Sequence, residues 1–311
     1  MGGRPKRKGG PLIEPSSNHN AIGAGIGAFA GEGRLPFLAT KIVPARPGGL
    51  VARPRLLAML SGLPAKRLGV IKAPAGFGKT SLAAAWAEQL EQEGCAVAWL
   101  TIDSDDDEAT RFLFYLSQAV RHACPDVGAE AIELILENNL IDPPAVLSSL
   151  INDLAEVDED VYFFFEDYHW LSASRIHQTV AYFLKHAPSH CHVVLTTRTE
   201  PPLPLATLRA QNQLIEIDAA ALRFDMQETL AFLDRTRPGV LELSEAQLLQ
   251  RKTEGWPAAL RVIVSMASQS GPELKDYVHS LSGSQRPIAA YLSEMLDALP
   301  AELVEIGRAH V

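Results

Sequence analysis

Ala73-Pro-Ala-Gly-Phe-Gly-Lys-Thr80 is the stretch of the sequence best equipped to do chemistry. It follows an apolar run (Leu68, Val70, Ile71) and opens a run of helix formers from Ser81 to Leu90. A strand, a Gly-containing loop and a helix, in that order, turn backbone N–H groups inward onto phosphate oxygens, and the helix N-terminus adds partial positive charge. The spacing assigns Lys79 to the β- and γ-phosphates and the Thr80 hydroxyl to Mg²⁺. Ala73, Pro74, Ala75, Gly76, Phe77, Gly78 and Ser81 complete the cradle. One position departs from G-x-x-x-x-G-K-[ST]: Ala73 stands where the first Gly would. Ala serves there if the residue needs no positive φ, and Gly76 and Gly78 keep the sharper part of the turn. The chain is predicted to bind a nucleoside triphosphate.

Phe163-Phe-Phe-Glu166-Asp167 places two carboxylates at the C-terminal end of an apolar strand, the edge at which open α/β sheets bind ligands. Glu166 is assigned to Mg²⁺ together with Thr80, and Asp167 to orienting or deprotonating the attacking water. Thr196-Thr-Arg198 closes another strand at the same edge, where Arg198 is positioned to sense the γ-phosphate. Gly255-Trp-Pro257 opens a later helix, and Pro257 beside Trp256 offers a rigid surface for a flat base. Arg53, in the lead-in Leu50-Val-Ala-Arg-Pro-Arg55, is grouped with the nucleotide contacts.

Two other clusters resemble metal sites and fail on spacing. Asp103-Ser-Asp-Asp-Asp107 begins like a calcium loop, but Glu108 replaces the turn glycine and Phe114 stands where a bidentate Glu is required. It reads instead as an acidic helix start, favoured by the macrodipole. His190 and His192 flank Cys191 at a strand start, with His186 upstream. Alternation of side chains along a strand makes such groups diverge.

These residues need a scaffold that brings strand ends together. Cys95–Leu100, Val161–Phe165, His192–Thr196 and Leu214–Ile217 read as strands after the one that precedes the loop, and their unbroken apolar character suits a parallel sheet covered on both faces. Helical patterns run between them: Leu56–Leu60, Arg111–His122, Pro144–Ala155 and Ser174–His186. The alternation predicts an α/β fold, a P-loop NTPase with a doubly wound parallel sheet. From Met226 only helical patterns remain: Met226–Arg235, Ser244–Thr253 with Ser244 as N-cap, and Pro257–Ala267 with Pro at N1. They predict a small helical lid domain. The expected division is a disordered tail over 1–36, the nucleotide-binding domain over 37–225 and the lid over 226–285.

Composition narrows the partners. The 311 residues carry a net charge of −9, so the body offers no broad basic face for nucleic acid. Arg4, Lys6, Arg7 and Lys8 form a short basic start. Cys95, Cys124 and Cys191 are odd in number and without a C-x-x-C pair, which fits a reducing cytoplasm. The Ala21–Ala30 stretch is too short and too weakly apolar to span a bilayer.

With these residues in place the chain resembles the nucleotide-binding region of MalT-type, large LuxR-family transcriptional activators, within the STAND class of signalling ATPases. The likeness runs from about Thr40 to Pro300. Its marks are Lys41 with Pro44, Leu50-Val51 with Arg53-Pro-Arg-Leu56, the loop Ala73–Thr80 and Trp99-Leu-Thr-Ile-Asp103. They continue through Glu166-Asp-Tyr-His169, Leu195-Thr-Thr-Arg198, Pro201-Pro with Leu205, Leu222-Arg-Phe224 and Gly255-Trp-Pro-Ala-Ala-Leu260. The family usually has Asp-Asp-Tyr-His where this chain has Glu166 first. The resemblance implies an ATP/ADP switch with Mg²⁺ and slow hydrolysis, self-association in the ATP state of the full-length protein, and a winged helix, a sensor domain and a DNA-binding helix-turn-helix further on. Residues 286–304 are expected to begin that winged helix. The end, Glu305-Ile-Gly-Arg-Ala-His-Val311, does not look like the family and matches an in-frame translation of a common sequencing-adapter oligonucleotide, so 305–311 is read as a non-native tail truncating a longer gene. No DNA or membrane binding is expected of this chain itself. Two other readings stand beside the switch: a stand-alone AAA-like ATPase doing mechanical work, and a module that holds nucleotide without turnover.

Overall fold

The computed structural model describes residues 37–44, 50–137, 142–269 and 274–281. The stretches 1–36, 286–304 and 305–311, for which a tail, a winged-helix start and a non-native end are expected, lie outside the described residues.

Five strands, β1 (Leu68–Lys72), β2 (Ala96–Thr101), β3 (Val161–Glu166), β4 (Cys191–Thr197) and β5 (Leu214–Ile217), form one parallel sheet in the order β2-β3-β4-β1-β5. Helix α1 (Pro54–Leu60) precedes the sheet and α8 (Ala219–Leu222) follows it. Parallel neighbours require crossovers, and the helices between supply them: α2 (Lys79–Gln92), α3 (Ala109–Ala123), α4 (Ala129–Glu137), α5 (Pro143–Ala155), α6 (Ser174–His186) and α7 (Leu205–Ala210). Both faces of β3 are apolar because both are covered. Phe164 stacks on Trp99, with centroids 5.3 Å apart, and meets Trp86 of α2 edge-on. Its neighbours Phe163 and Phe165 point the other way, to Phe183 of α6 and Phe112 of α3. Two-residue alternation thus splits one aromatic run between two hydrophobic layers.

Past β5 the chain is helical: α9 (Met226–Thr236), α10 (Leu243–Thr253), α11 (Pro257–Gln269) and α12 (Leu274–Leu281). These helices enclose a hydrophobic cluster of their own, including Phe232, Leu249, Leu260, Ile263 and Val278. Arg53, which precedes α1, and Arg55, in its first turn, tie the clusters together. Arg53 and Arg55 both bond the carboxylate of Glu228 on α9, with Arg53 and Glu228 buried. Glu228 also accepts from the N–H of Asp225 at 3.0 Å, while Asp225 accepts from Glu228 N–H at 2.8 Å, a reciprocal cap for α9.

One expected cap moves. Helix α10 opens at Leu243 rather than after Ser244, because Glu242 N–H donates to the buried Glu245 carboxylate at 2.8 Å and Glu242 takes the cap position. The short helices α7 and α8 and the longer α4 and α12 add to the elements read from the sequence.

Candidate functional site

The sheet order explains how distant residues meet. Register sets Lys72 beside Thr197 and Thr101 beside Glu166, so β1, β4, β3 and β2 all end on one edge. Strand β4 lies between the loop-bearing β1 and the acid-bearing β3, which brings Thr196, Thr197 and Arg198 to the middle of that edge.

The loop leaves β1 in register: Ala73 N–H still donates to Thr197 O at 3.2 Å. Ala73 is not among the positive-φ residues, which is why it replaces glycine there without strain. Gly76 (φ 76°) and Gly78 (φ 77°) make the turn, and a Cβ added at Gly78 would meet nothing within 4 Å, so the cradle is open at that point. Helix α2 starts on Lys79, directing its first N–H groups at the loop. Lys79 Nζ donates to Pro74 O at 3.0 Å. Burial lowers its pKa to about 8, against the pull of Asp167.

Glu166 is buried, accepts from Thr101 Oγ1 at 2.9 Å and is bonded by Thr80. Burial raises its pKa, with Asp167 adding like-charge repulsion. Asp167 sits in the left-handed region (φ 56°), and its N–H donates to Thr196 Oγ1 at 2.9 Å. Behind that strained residue, buried Tyr168 is fixed by a hydrogen bond of 2.9 Å between its hydroxyl and His177 Nδ1. His169 Nδ1 lies 3.7 Å from the Asp167 carboxylate, and both its ring nitrogens are buried without a hydrogen-bond partner. Burial lowers the His169 pKa to about 4, so the imidazole is neutral at ordinary pH. Arg198 bears electrostatically on Lys79 and His169, and its Nε is also buried and unpartnered. Lys79, Thr80, Glu166, Asp167 and Arg198 therefore converge on one sheet edge. His169 joins them without having been assigned a role from sequence; its place two residues after Asp167 was the available signal.

Beside this edge lies a cavity of about 570 Å³. Gly76, Gly78, Lys79, Thr80 and Ser81 line one side, and Leu50, Val51, Phe224, Phe232 and Pro257 another. Its size and its polar and apolar sides suit a small ligand with a charged end. Ala73, Pro74, Ala75 and Phe77 do not line it, and Pro74 serves the loop through its carbonyl. Arg53 lines the cavity as well; four hydrogen bonds tie its Nε and Nη2 to Glu228, Leu222 O and Arg223 O, while its Nη1 is buried without a hydrogen-bond partner. Its ring contact with Phe224, 5.0 Å to the centroid, makes it a brace of the wall. Arg261 and Glu88 line the cavity too, and no sequence pattern singled them out.

The donor set fits Mg²⁺: a hydroxyl and a carboxylate are hard oxygen ligands, and this ion keeps few protein ligands when phosphates supply the rest. Among the described residues no group of three His, Cys, Asp or Glu could hold a metal unaided. The acidic run does not itself open α3: Asp103 caps a separate 3-10 turn, Asp106 is buried against Lys41 and Arg111, and Glu108 caps the helix. His190 bonds Leu154 O and His192 bonds Lys66 O, so these histidines diverge. Among the described residues no helix is long and apolar enough to cross a membrane.

Fold and loop together define a P-loop nucleotide-binding protein of the α/β class. No protein-family model matches the chain. It is 38% identical over 273 residues to the serine/threonine-protein kinase PknK of Mycobacterium tuberculosis, covering 87% of this chain and 24% of that protein. It is 33% identical over 240 residues to the HTH-type transcriptional regulator MalT of Vibrio parahaemolyticus, covering 76% and 26%, and 32% identical over 261 residues to MalT of Serratia proteamaculans, covering 83% and 28%. Over this stretch the chain is homologous to the MalT-type regulators, and it spans about a quarter of the length of these relatives. Solved structures similar to it include Cdc6p from Pyrobaculum aerophilum (TM-score 0.48, 14% identity, 75% of this chain and 67% of that one). Another is the Aeropyrum pernix ORC1 protein in complex with DNA (TM-score 0.48, 16% identity, 82% and 70%).

Proposed function

We propose that this chain is the ATP-binding regulatory switch of a MalT-like, LuxR-family transcriptional regulator, dependent on Mg²⁺ and slow in hydrolysis. The observation that supports it most is the convergence of Lys79 and Thr80 with Glu166, Asp167 and Arg198 beside a cavity that α11 also lines. In this reading loop amides and Lys79 take the phosphates, Thr80 and Glu166 hold the metal, and the metal neutralises developing phosphate charge when bound. Asp167 orients the attacking water, and Arg198 senses the γ-phosphate. Pro257 and the apolar wall take the base. The nucleotide then acts as a switch only through its different affinities for two conformations. Self-association in the ATP state and any DNA recognition are assigned to the full-length protein, since a chain of net charge −9 has little to offer a duplex. The likeness to PknK favours a second output for the same switch: a kinase polypeptide rather than a DNA-binding one.

The test is multiple-turnover ATP hydrolysis by the wild-type chain and by Asp167→Asn. Asn tolerates the left-handed backbone of Asp167, so the variant changes charge and little else. Slow wild-type turnover, reduced about 100-fold in Asp167→Asn with ATP affinity kept, supports the switch. Rapid turnover favours a mechanical ATPase, and adenine nucleotide retained through purification without turnover favours a holding module. Weak binding with normal turnover in Asp167→Asn reverses the roles of the two acids.

A further inference from the structure

The loop has a second contact, made by the turn that precedes α11. Glu254 (φ 50°) and Gly255 (φ 71°) are both left-handed, and the turn is fastened on three sides. Gly255 N–H donates to Gln250 O at 3.2 Å, Gly255 O accepts from Phe224 N–H at 2.7 Å, and Trp256 N–H donates to Thr253 O at 2.9 Å. A Cβ at Gly255 would stand 2.3 Å from Phe224 O, so the close approach requires glycine. The rigid turn presents Trp256 to the P-loop. Its ring stacks on Phe77 with centroids 5.9 Å apart and planes 26° from parallel. Two residues on, Ala258 N–H donates to Gly76 O at 3.1 Å. The fit is close: a Cβ at Gly76 would lie 2.5 Å from Ala258 Cβ and 3.1 Å from Trp256 Nε1. Neither Trp256 nor Phe77 lines the cavity.

A trans peptide is planar, with its C=O and N–H opposed. Anchoring Gly76 O on α11 therefore fixes the plane of the Gly76–Phe77 peptide and the direction of the Phe77 N–H, one of the amides of the phosphate cradle. We infer that Trp256 is a positioning residue for nucleotide phosphate: stacked on Phe77, it seats Ala258 N–H on Gly76 O and holds the loop in its cradling form. Phosphate retention then depends on the docking of α11, and release of ADP requires the Trp256–Phe77 stack to part. The inference rests on the nucleotide reading of the site and adds to it how the helices after β5 control the occupant.

The test is the dissociation rate of a fluorescent N-methylanthraniloyl-ADP, with Mg²⁺, from the 311-residue chain and its variants. Phe77→Leu and Trp256→Leu are each expected to speed release about 3- to 10-fold, the range of one aromatic pair. The double variant should be no faster than the faster single one, because both remove the same contact. Trp256→Phe, which keeps a ring, should release near the wild-type rate. Unchanged rates in both single variants, or effects that multiply in the double, would overturn the inference. Should Trp256→Leu not fold, Phe77→Leu against Trp256→Phe decides it: faster release in the first alone supports the stack, and equal rates refute it. A wild-type chain that binds no ADP refutes the nucleotide reading itself, a separate failure.

Discussion

Lys79 shows what the burial of a single cationic side chain costs the fold. Its burial holds the folded-state pKa at about 8, against an ordinary value of 10.5. Between those two pH values the unfolded chain binds more protons than the folded one, so this residue's contribution to stability rises with pH there. Below about 8 the penalty is fully present. Nucleotide-free Lys79→Met is therefore expected to gain stability relative to wild type at pH 7, the gap closing as pH is raised towards 10.5. Chemical denaturation at a series of pH values reads the gap, and a gap independent of pH would contradict the burial argument. The residue-level reading from sequence succeeded where chemistry is local: Ala73 tolerated by its backbone, Gly76 and Gly78 at positive φ, and Glu166 followed by Asp167 at a strand end. Arg53 was harder. Nothing in its neighbours reveals that Glu228, far along the chain, holds its guanidinium. The same is true of Arg261, which meets the cavity only because α11 docks there.

Among the elements, those with a strong pattern and a clear stop were legible to the residue. Helix α6 and strand β5 run over the ranges expected from sequence, and Pro257 starts α11. Helix α4 carried a signal as well, with Ala131, Ile132 and Ile135 on its buried side, whereas α7 and α8 are too short for a period to show. What periodicity cannot give is the strap between the sheet and the later helices. Glu228 carries Arg53, Arg55 and the cap of α9 at once, and it is buried. Removing one member of a buried ion-pair network strands the others without compensation. Glu228→Ala should therefore cost about 3–5 kcal/mol by urea unfolding. A loss under about 1 kcal/mol, the worth of a surface pair, would show that the strap is ornamental.

At the scale of the whole molecule, the sheet edge gathers the loop and the acids, and the cavity beside it is lined by the loop, by the lead-in to α1 and by the helices after β5, with a hydrophobic cluster on each side. A nucleotide bound as proposed would touch both, which is the arrangement a switch needs. Moving a two-state equilibrium from mostly one form to mostly the other takes about 5.5 kcal/mol of differential affinity. Charge-assisted phosphate contacts made in one form and lost in the other, at about 1.5–3 kcal/mol each, supply that in a few bonds. All of this depends on the loop holding a nucleotide through Lys79. The direct measurement is calorimetric titration of ATP with Mg²⁺ into the wild-type chain and into Lys79→Ala, each checked for cooperative unfolding. Wild-type binding, weakened by about 1.5–3 kcal/mol or more in a folded Lys79→Ala, is the expected result. Equal affinity in the two folded proteins, or no binding to wild type, would contradict it.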